Sequence, residues 1–263
     1  MTYGEETGPL AIAHRGGMAL GPENTLVAFE RSTALGIRYL ETDVLTTRDG
    51  HLVCFHDRGL RRLTGHPGAV GEVDLDVVGR LRVHGREPVP TLAEAMGSFP
   101  ETRFAIDLKD ERSVAAMAGL LSRNPGWAAR VCVAGAWSRR LLRLQAEVPE
   151  VTTALGWRAL STLIACSRSY TRTPAGVLRG TFAHVPFRLG RFPVYAERVV
   201  AQAHALGLRV NVWTVNDPGT MHTLLDAGVD GIITDRPDVL REVLLARRQW
   251  QPHPVRQPSA TRV

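Results

Sequence analysis

The chain has 263 residues, 44% of them hydrophobic, and a formal net charge of +6. That length and apolar content suit one large core, and α/β barrels commonly use all of it. No apolar run approaches the ~18 residues of a membrane-spanning helix, and the acidic, polar start MTYGEETGPL lacks the basic-then-apolar order of a secretory signal.

LAIAH (10–14) reads as a first strand ending in His-Arg-Gly-Gly. NTLVAFERSTALG follows as a helix, with Asn24 placed at its N-cap. RYLETDV (38–44) is the second strand. Residues 45–90 then break the rhythm: TTRDGHLVCFHD reads as a turn and a short strand, LTGHPGAVGEVDLDVVGRL as a loop and a short helix. This stretch is too short for a second domain. Next come the helix TLAEAMGSF, the strand RFAIDL (103–108), the helix ERSVAAMAGLLSR and the strand RVCVAG (130–135). The helix SRRLLRLQAEV and the strand VTTALG (151–156) follow. Residues 157–180, rich in Ser, Thr and Arg, read as helix or loop. TFAHV (181–185), YAERVVAQAHALG, LRVNVWTV (208–215), PGTMHTLLDAG, DGIIT (230–234) and RPDVLREVLLARR complete the alternation. Asp235 is placed as the last helix's N-cap, ahead of Pro237.

Eight strands alternating with helices predict an α/β chain folded as a (β/α)8 barrel over residues 8–246, with a small insertion after the second strand, about 45–90. A doubly wound sheet is the alternative. Residues 247–263, Pro-rich and basic, are expected to be a disordered tail. Cys54, Cys132 and Cys166 are far apart and match no metal spacing, as expected of reduced thiols in a cytoplasmic protein. Scattered arginines argue against nucleic acid as the partner and leave peripheral membrane contact open. Lys109 is the single lysine among 32 basic residues.

Side chains at i and i+2 on a strand share a face. Glu41 and Asp43 form one such pair, Asp107 and Lys109 another. His14 and Trp213 end the first and seventh strands, and His56 closes the inserted strand. All are placed at the C-terminal strand ends, where barrel enzymes assemble their sites. Three converging carboxylates repel one another unless a cation joins them, and oxygen-only ligands favour one divalent Mg²⁺ or Ca²⁺. Two histidines titrating near neutrality suit acid and base work. Arg15 and Lys109 add fixed positive charge, so the set suits a phosphate diester. Each element also has a plainer reading: a structural histidine, a capping or ion-paired carboxylate, a surface Asp107–Lys109 pair, a core tryptophan. Their expected co-location on one barrel face favours the chemical reading.

The segments AHRGG…PENT, ETDVLTTRDGHLVCFHD, LTG, EPVPTLAEAM, IDLK, VNVWTVND and GVDGIITDRPD resemble, in order and over roughly residues 11–245, the glycerophosphodiester phosphodiesterases. The resemblance implies a TIM barrel with a small insertion after its second strand. It implies His14 and His56 as acid and base, Arg15 and Lys109 as phosphate ligands, and Trp213 as pocket lining. Glu41, Asp43 and Asp107 would hold the ion, although the family commonly has Glu at the third position. Gly16 and Gly17 would leave room for the ligand, and Glu23 and Asn24 could support the site. The implied reaction releases glycerol 3-phosphate and an alcohol from a glycerophosphodiester. The alternatives are a lysophospholipase D, with an apolar groove from residues 159–165 and 182–192, and a non-catalytic anion- or nucleic-acid-binding barrel.

Overall fold

The computed structural model describes residues 2–251 except 175, 177, 190, 191, 196 and 197. β1 (Leu10–Ala13) runs into a 3-10 turn, His14–Gly16, and α1 (Leu26–Ala34) leads to β2 (Tyr39–Thr46). The excursion that follows holds β3 (Leu52–Cys54), α2 (Arg61–Thr64), α3 (Leu75–Arg80) and the hairpin β4 (Arg82–Val83) and β5 (Glu87–Pro88). α4 (Leu92–Ser98) returns the chain to the main sheet at β6 (Arg103–Leu108). α5 (Arg112–Arg123), β7 (Val131–Gly135), α6 (Ser138–Glu147), β8 (Thr152–Thr153) and α7 (Trp157–Arg168) continue the alternation. After β9 (Phe182–Pro186) come a small hairpin, β10 (Arg188–Leu189) and β11 (Phe192–Pro193), and α8 (Arg198–His204). β12 (Arg209–Trp213), α9 (Pro218–Asp226), β13 (Gly231–Thr234) and α10 (Pro237–Ala246) complete the fold.

Eight parallel strands stand side by side in the order β8–β7–β6–β2–β1–β13–β12–β9. The two ends meet through a parallel bridge between Ala154 and Phe182. Leu155 N–H donates to Phe182 O at 2.7 Å, and Thr181 N–H to Thr153 O at 2.8 Å. The result is the expected (β/α)8 barrel. β8 keeps only two of the six residues expected of it, because the chain leaves the sheet once closure is made. The ambiguous stretch resolves into α7 for residues 157–168.

Strand alternation divides the core. Leu10 and Ile12 of β1 point into the barrel, with Tyr39, Ala105, Cys132, Ala154, Phe182 and Ile233, while Ala11 and Ala13 face the helices. The N-terminal segment plugs the bottom. Tyr3 is 4% exposed, and its ring meets Tyr39 and Phe182 edge-on at 5.1 and 5.3 Å. The excursion after β2 has a core of its own, built from Leu45, Val53, Phe55, Leu60, Leu63, Val70, Val78, Val83 and Val89. β3 joins it to the barrel by antiparallel pairing with β2, Val44 opposite Cys54.

At the other end, residues 247–251 fold back instead of starting the tail. Gln249 and Trp250 N–H groups donate to Leu244 O, and Trp250 packs on the core. The rest of the expected tail, 252–263, lies outside the described residues. Among the described residues no helix is long and apolar enough to cross a membrane.

Among the described residues the buried Tyr3 hydroxyl has no hydrogen-bond partner, so ring and hydroxyl separate in a mutant pair. Tyr3→Ala should destabilise the protein by about 3 kcal/mol through the void left among Tyr39 and Phe182. Tyr3→Phe should be neutral or slightly stabilising, since it removes an unpaired polar group. Urea denaturation midpoints at constant slope measure both.

Candidate active site

His14, Arg15, Glu41, Asp43, His56, Asp107, Lys109 and Trp213 all line one pocket of about 210 Å³ at the C-terminal end of the barrel. β2 and β6 pair in register with Glu41 opposite Ala105 and Asp43 opposite Asp107, which sets the carboxylates at two levels of one wall. Glu41 and Asp43 lie within β2 and not at its end, because β2 runs on to Thr46 to pair with β3. His14 falls just past β1, in the 3-10 turn. His56 arrives from beyond β3, so the excursion contributes directly to the pocket. Apolar lining comes from Ala134, Leu155, Trp157, Leu160 and Ile233.

The local backbone explains the His-Arg-Gly-Gly stretch. Arg15 takes φ 49° and is followed by Gly16 at 82° and Gly17 at 91°, three left-handed residues in a row. A Cβ on Gly16 would lie 2.4 Å from Phe29 Cδ1, and one on Gly17 would lie 2.7 Å from Ser32 Oγ. These glycines let the turn press against α1, which corrects the expectation that they make room for a ligand. The turn aims the Arg15 N–H at Glu41 Oε2, 2.8 Å away.

Each histidine is held at Nδ1 by an aspartate. His14 Nδ1 lies 2.6 Å from Asp235 Oδ1, and His56 Nδ1 lies 2.7 Å from Asp57 Oδ1. Both imidazoles thus have Nε2 left for the pocket. Asp235 is itself anchored: its Oδ2 accepts from Asn216 Nδ2 at 2.8 Å, and its N–H donates to Asn216 Oδ1 at 2.9 Å. The N-cap role expected of Asp235 is therefore wrong, since Arg236 occupies the cap of α10 and supplies no side-chain cap bond. Asn24 departs from its expected cap in the same way. Thr25 caps α1 by accepting from Ala28 N–H, and Asn24, at φ 57°, turns inward. Its Nδ2 donates to Asp43 Oδ2 at 3.1 Å, and its Oδ1 accepts from Thr42 Oγ1 at 2.7 Å.

The charges are tightly matched. Lys109 Nζ bridges Asp43 Oδ1 at 2.8 Å and Asp107 Oδ2 at 2.6 Å, and Arg15 Nε lies 3.1 Å from Asp43 Oδ2. Burial works to raise the Asp43 pKa, but the Lys109 and Arg15 charges outweigh it and hold the carboxyl below its usual range. Burial and the Asp43 charge push Glu41 up to about 7. Burial also raises Asp107 despite Lys109. For His14, burial pulls downward, yet the Asp235 hydrogen bond and the charges of Glu41 and Asp235 leave its pKa raised. His184, at the pocket's inner side, is pushed down to about 4 by burial and stays neutral. Among the described residues, no three His, Cys, Asp or Glu side chains stand as a ready-made metal cage.

Sequence reasoning missed Asp57, Arg62, Asn216 and the positioning role of Asp235. Asp57 was visible as the residue right after His56; Arg62 and Asn216 had no local signal. Arg62 grips Glu23 through Nη1–Oε2 and Nη2–Oε1 bonds, both 2.8 Å, and Asp57 through Nε–Oδ2 at 2.5 Å.

Fold and pocket define a (β/α)8 barrel whose mouth gathers two imidazoles, two cations and three carboxylates. The sequence profile of the Glycerophosphoryl diester phosphodiesterase family matches residues 14–239. The Mycobacterium tuberculosis protein named probable glycerophosphodiester phosphodiesterase 2 is 38% identical over 250 residues, 92% of this chain and 93% of that one. A solved structure of a glycerophosphoryl diester phosphodiesterase-type protein from Silicibacter pomeroyi DSS-3 superposes with a TM-score of 0.76 at 26% identity, covering 94% and 97% of the two chains. An Oleispira antarctica phosphodiesterase, solved in complex with its product sn-glycerol-3-phosphate, shares the fold with a TM-score of 0.74 at 22% identity, covering 90% and 97%. The chain belongs to the glycerophosphoryl diester phosphodiesterase family and is a phosphoric diester hydrolase.

Glu23 and Asp57 give the site an acid-sensitive edge. Burial opposes ionisation of Glu23, but Arg62 and Arg15 hold its pKa below the usual value; Arg62, ahead of a weaker opposing burial, holds Asp57 at about 2. A depressed carboxyl stabilises the native state above its unfolded pKa, about 4, and loses that contribution as pH falls through the native value. Urea midpoints of the wild type should therefore drop between pH ~4 and ~2. Asp57 is partly exposed, so its share is on the order of 1 kcal/mol. Glu23→Gln should show a shallower drop over the same window.

Proposed function

We propose that the chain hydrolyses glycerophosphodiesters to glycerol 3-phosphate and an alcohol, with His14 and His56 as acid and base. The observation that carries this reading is the pair of Asp-held imidazoles flanking a carboxylate and cation cluster in one pocket. Each Nδ1 is engaged by an aspartate, so the Nε2 atoms exchange protons with the substrate. One takes a proton from the attacking water, or from the glycerol 2-hydroxyl, whose cyclic phosphate a water then opens; the other gives one to the departing alcohol. Arg15 and Lys109 hold the phosphate oxygens as negative charge grows on them. The Trp213 ring, whose Nε1 donates to His184 O at 3.0 Å, offers a fixed apolar face beside the glycerol.

One divalent cation, Mg²⁺ or Ca²⁺, belongs to this proposal. The donor chemistry fits: Glu41, Asp43 and Asp107 are all oxygen ligands lining one pocket, and burial, with the neighbouring Asp43 charge, raises Glu41 to about 7, so its carboxylate lacks a full partner of its own. These three would hold the ion, and Lys109 would turn from Asp43 and Asp107 to the phosphate. When bound, the ion supplies Lewis-acid charge compensation to the phosphate. A cytoplasmic location is also proposed; all three cysteines are free.

The lysophospholipase D reading draws on the apolar lining. Of the two stretches expected to form its groove, however, the described pocket lining includes only Leu160 and His184. Turnover of matched substrates with and without an acyl chain separates the two readings.

A panel of glycerophosphodiesters assayed with Mg²⁺, Ca²⁺ and a chelator is the direct test. Release of glycerol 3-phosphate that stops on chelation is expected. Folded, metal-loaded protein inert on every member would sink the proposal.

The histidines give a separate expectation. His14→Ala and His56→Ala should each lower kcat by about 10²–10⁴. The double variant should cost little more than either alone, because members of one catalytic unit act non-additively. Calorimetric metal binding should survive in all three; loss of it would make a histidine a ligand.

A further inference from the structure

We infer that Arg62 is a positioning residue that fixes His56 and Arg15 relative to each other across the seam between the excursion and the barrel. The inference rests on the proposed hydrolase chemistry and extends it to a residue outside the pocket lining.

The two groups come from different parts of the fold. Arg15 sits in the turn after β1, and His56 beyond β3. Pairing of β3 with β2 and the Phe55 N–H bond to Asp43 O at 2.9 Å tie the backbone beside His56 to the barrel, but they leave the direction of the imidazole to its side-chain partners. Arg62 spans that seam. Its α2 is anchored in the excursion by Leu60 and Leu63, which are 0% and 2% exposed. The guanidinium then uses all three nitrogens. Nε binds Asp57, whose other oxygen holds His56 Nδ1. Nη1 and Nη2 form a fork on Glu23, whose Oε1 also takes Arg15 Nη1 at 2.9 Å. Arg15 in turn reaches Asp43. An unbroken chain thus runs from His56 through Asp57, Arg62, Glu23 and Arg15 to Asp43.

The chemistry calls for arginine at this place. A planar fork matches a carboxylate through two parallel bonds and still offers Nε to a third group, which an ammonium cannot do in the same geometry. The Glu23 side chain is 4% exposed while that of Arg62 is 46% exposed. A buried carboxylate is therefore served by a cation that itself stays wet, so the guanidinium escapes much of the usual desolvation cost. Surface ion pairs are usually weak. This one differs because it is bidentate on Glu23, joins Glu23 to Asp57, and ends on two candidate site groups, Arg15 and His56.

The test compares wild type, Arg62→Ala and Arg62→Lys. Outer partners of site residues typically carry about 10- to 100-fold in activity. Arg62→Ala should lose that much in kcat, with a smaller rise in KM from the loosened Arg15. Arg62→Lys, which keeps the charge without the fork, should recover only part of kcat. Guanidinium ion added to Arg62→Ala should restore some of the loss. The second readout needs no turnover: the His56 imidazole ¹⁵N resonances should shift in Arg62→Ala, while those of His14, held by Asp235, stay in place. Wild-type kcat in either variant, or unshifted His56 resonances, would overturn the inference. If the wild type proves inert on glycerophosphodiesters, the hydrolase reading fails, and the His56 resonances still decide whether Arg62 holds that imidazole.

Discussion

The Asp43 side chain is 3% exposed and is held ionised by Lys109, Arg15 and Asn24. An isolated charge in such a place would cost several kcal/mol, so the surrounding chain must supply partners or neutralise it. Much of the local architecture meets that demand. The left-handed turn at Arg15 brings a guanidinium to one oxygen. The one lysine rises from the end of β6 to the other. Asn24 gives up an N-cap position, and an unusual backbone conformation is kept, so that its amide can reach the same carboxylate.

Around this centre the polar groups fall into two shells with a common logic. The inner shell points at the pocket: Nε2 of two imidazoles, two cations, three carboxylates. The outer shell fixes their directions: Asp235 and Asn216 behind His14, Asp57 behind His56, Glu23 behind Arg15. A long side chain has many rotamers, and an acid or base misplaced by an ångström loses much of its rate advantage. The outer shell removes that freedom before substrate arrives. Glu41 and Asp107 in the same pocket are both raised in pKa by burial.

The barrel itself was legible because its signal is local and repeated. LAIAH, RFAIDL and DGIIT are short apolar runs between amphipathic helices, and pairing in chain order leaves few other arrangements. The weak point was β8, where Thr152 and Thr153 alone are strand. Its other residues were expected in the sheet from their apolar character, but a strand that only has to close a ring needs few ladder bonds. The hairpin of β4 and β5 was missed for a related reason: two-residue strands carry no period.

From sequence alone came the architecture and eight of the residues that line the pocket, because those depend on residue type and on spacing along single strands, and the chemical class, through the resemblance that its motifs carry. Glu41 and Asp43 share a face wherever that strand goes, and His56 follows two residues after its strand, not at its end as expected. Tertiary structure alone decided which groups hold those residues. Asp235 and His14 are 221 positions apart and Arg62 and Glu23 are 39 apart, and nothing local tells a capping aspartate from one that grips an imidazole. A cap is a contact within a few residues, visible in a motif; a positioning bond joins elements that only barrel closure and the seating of the excursion bring within 3 Å.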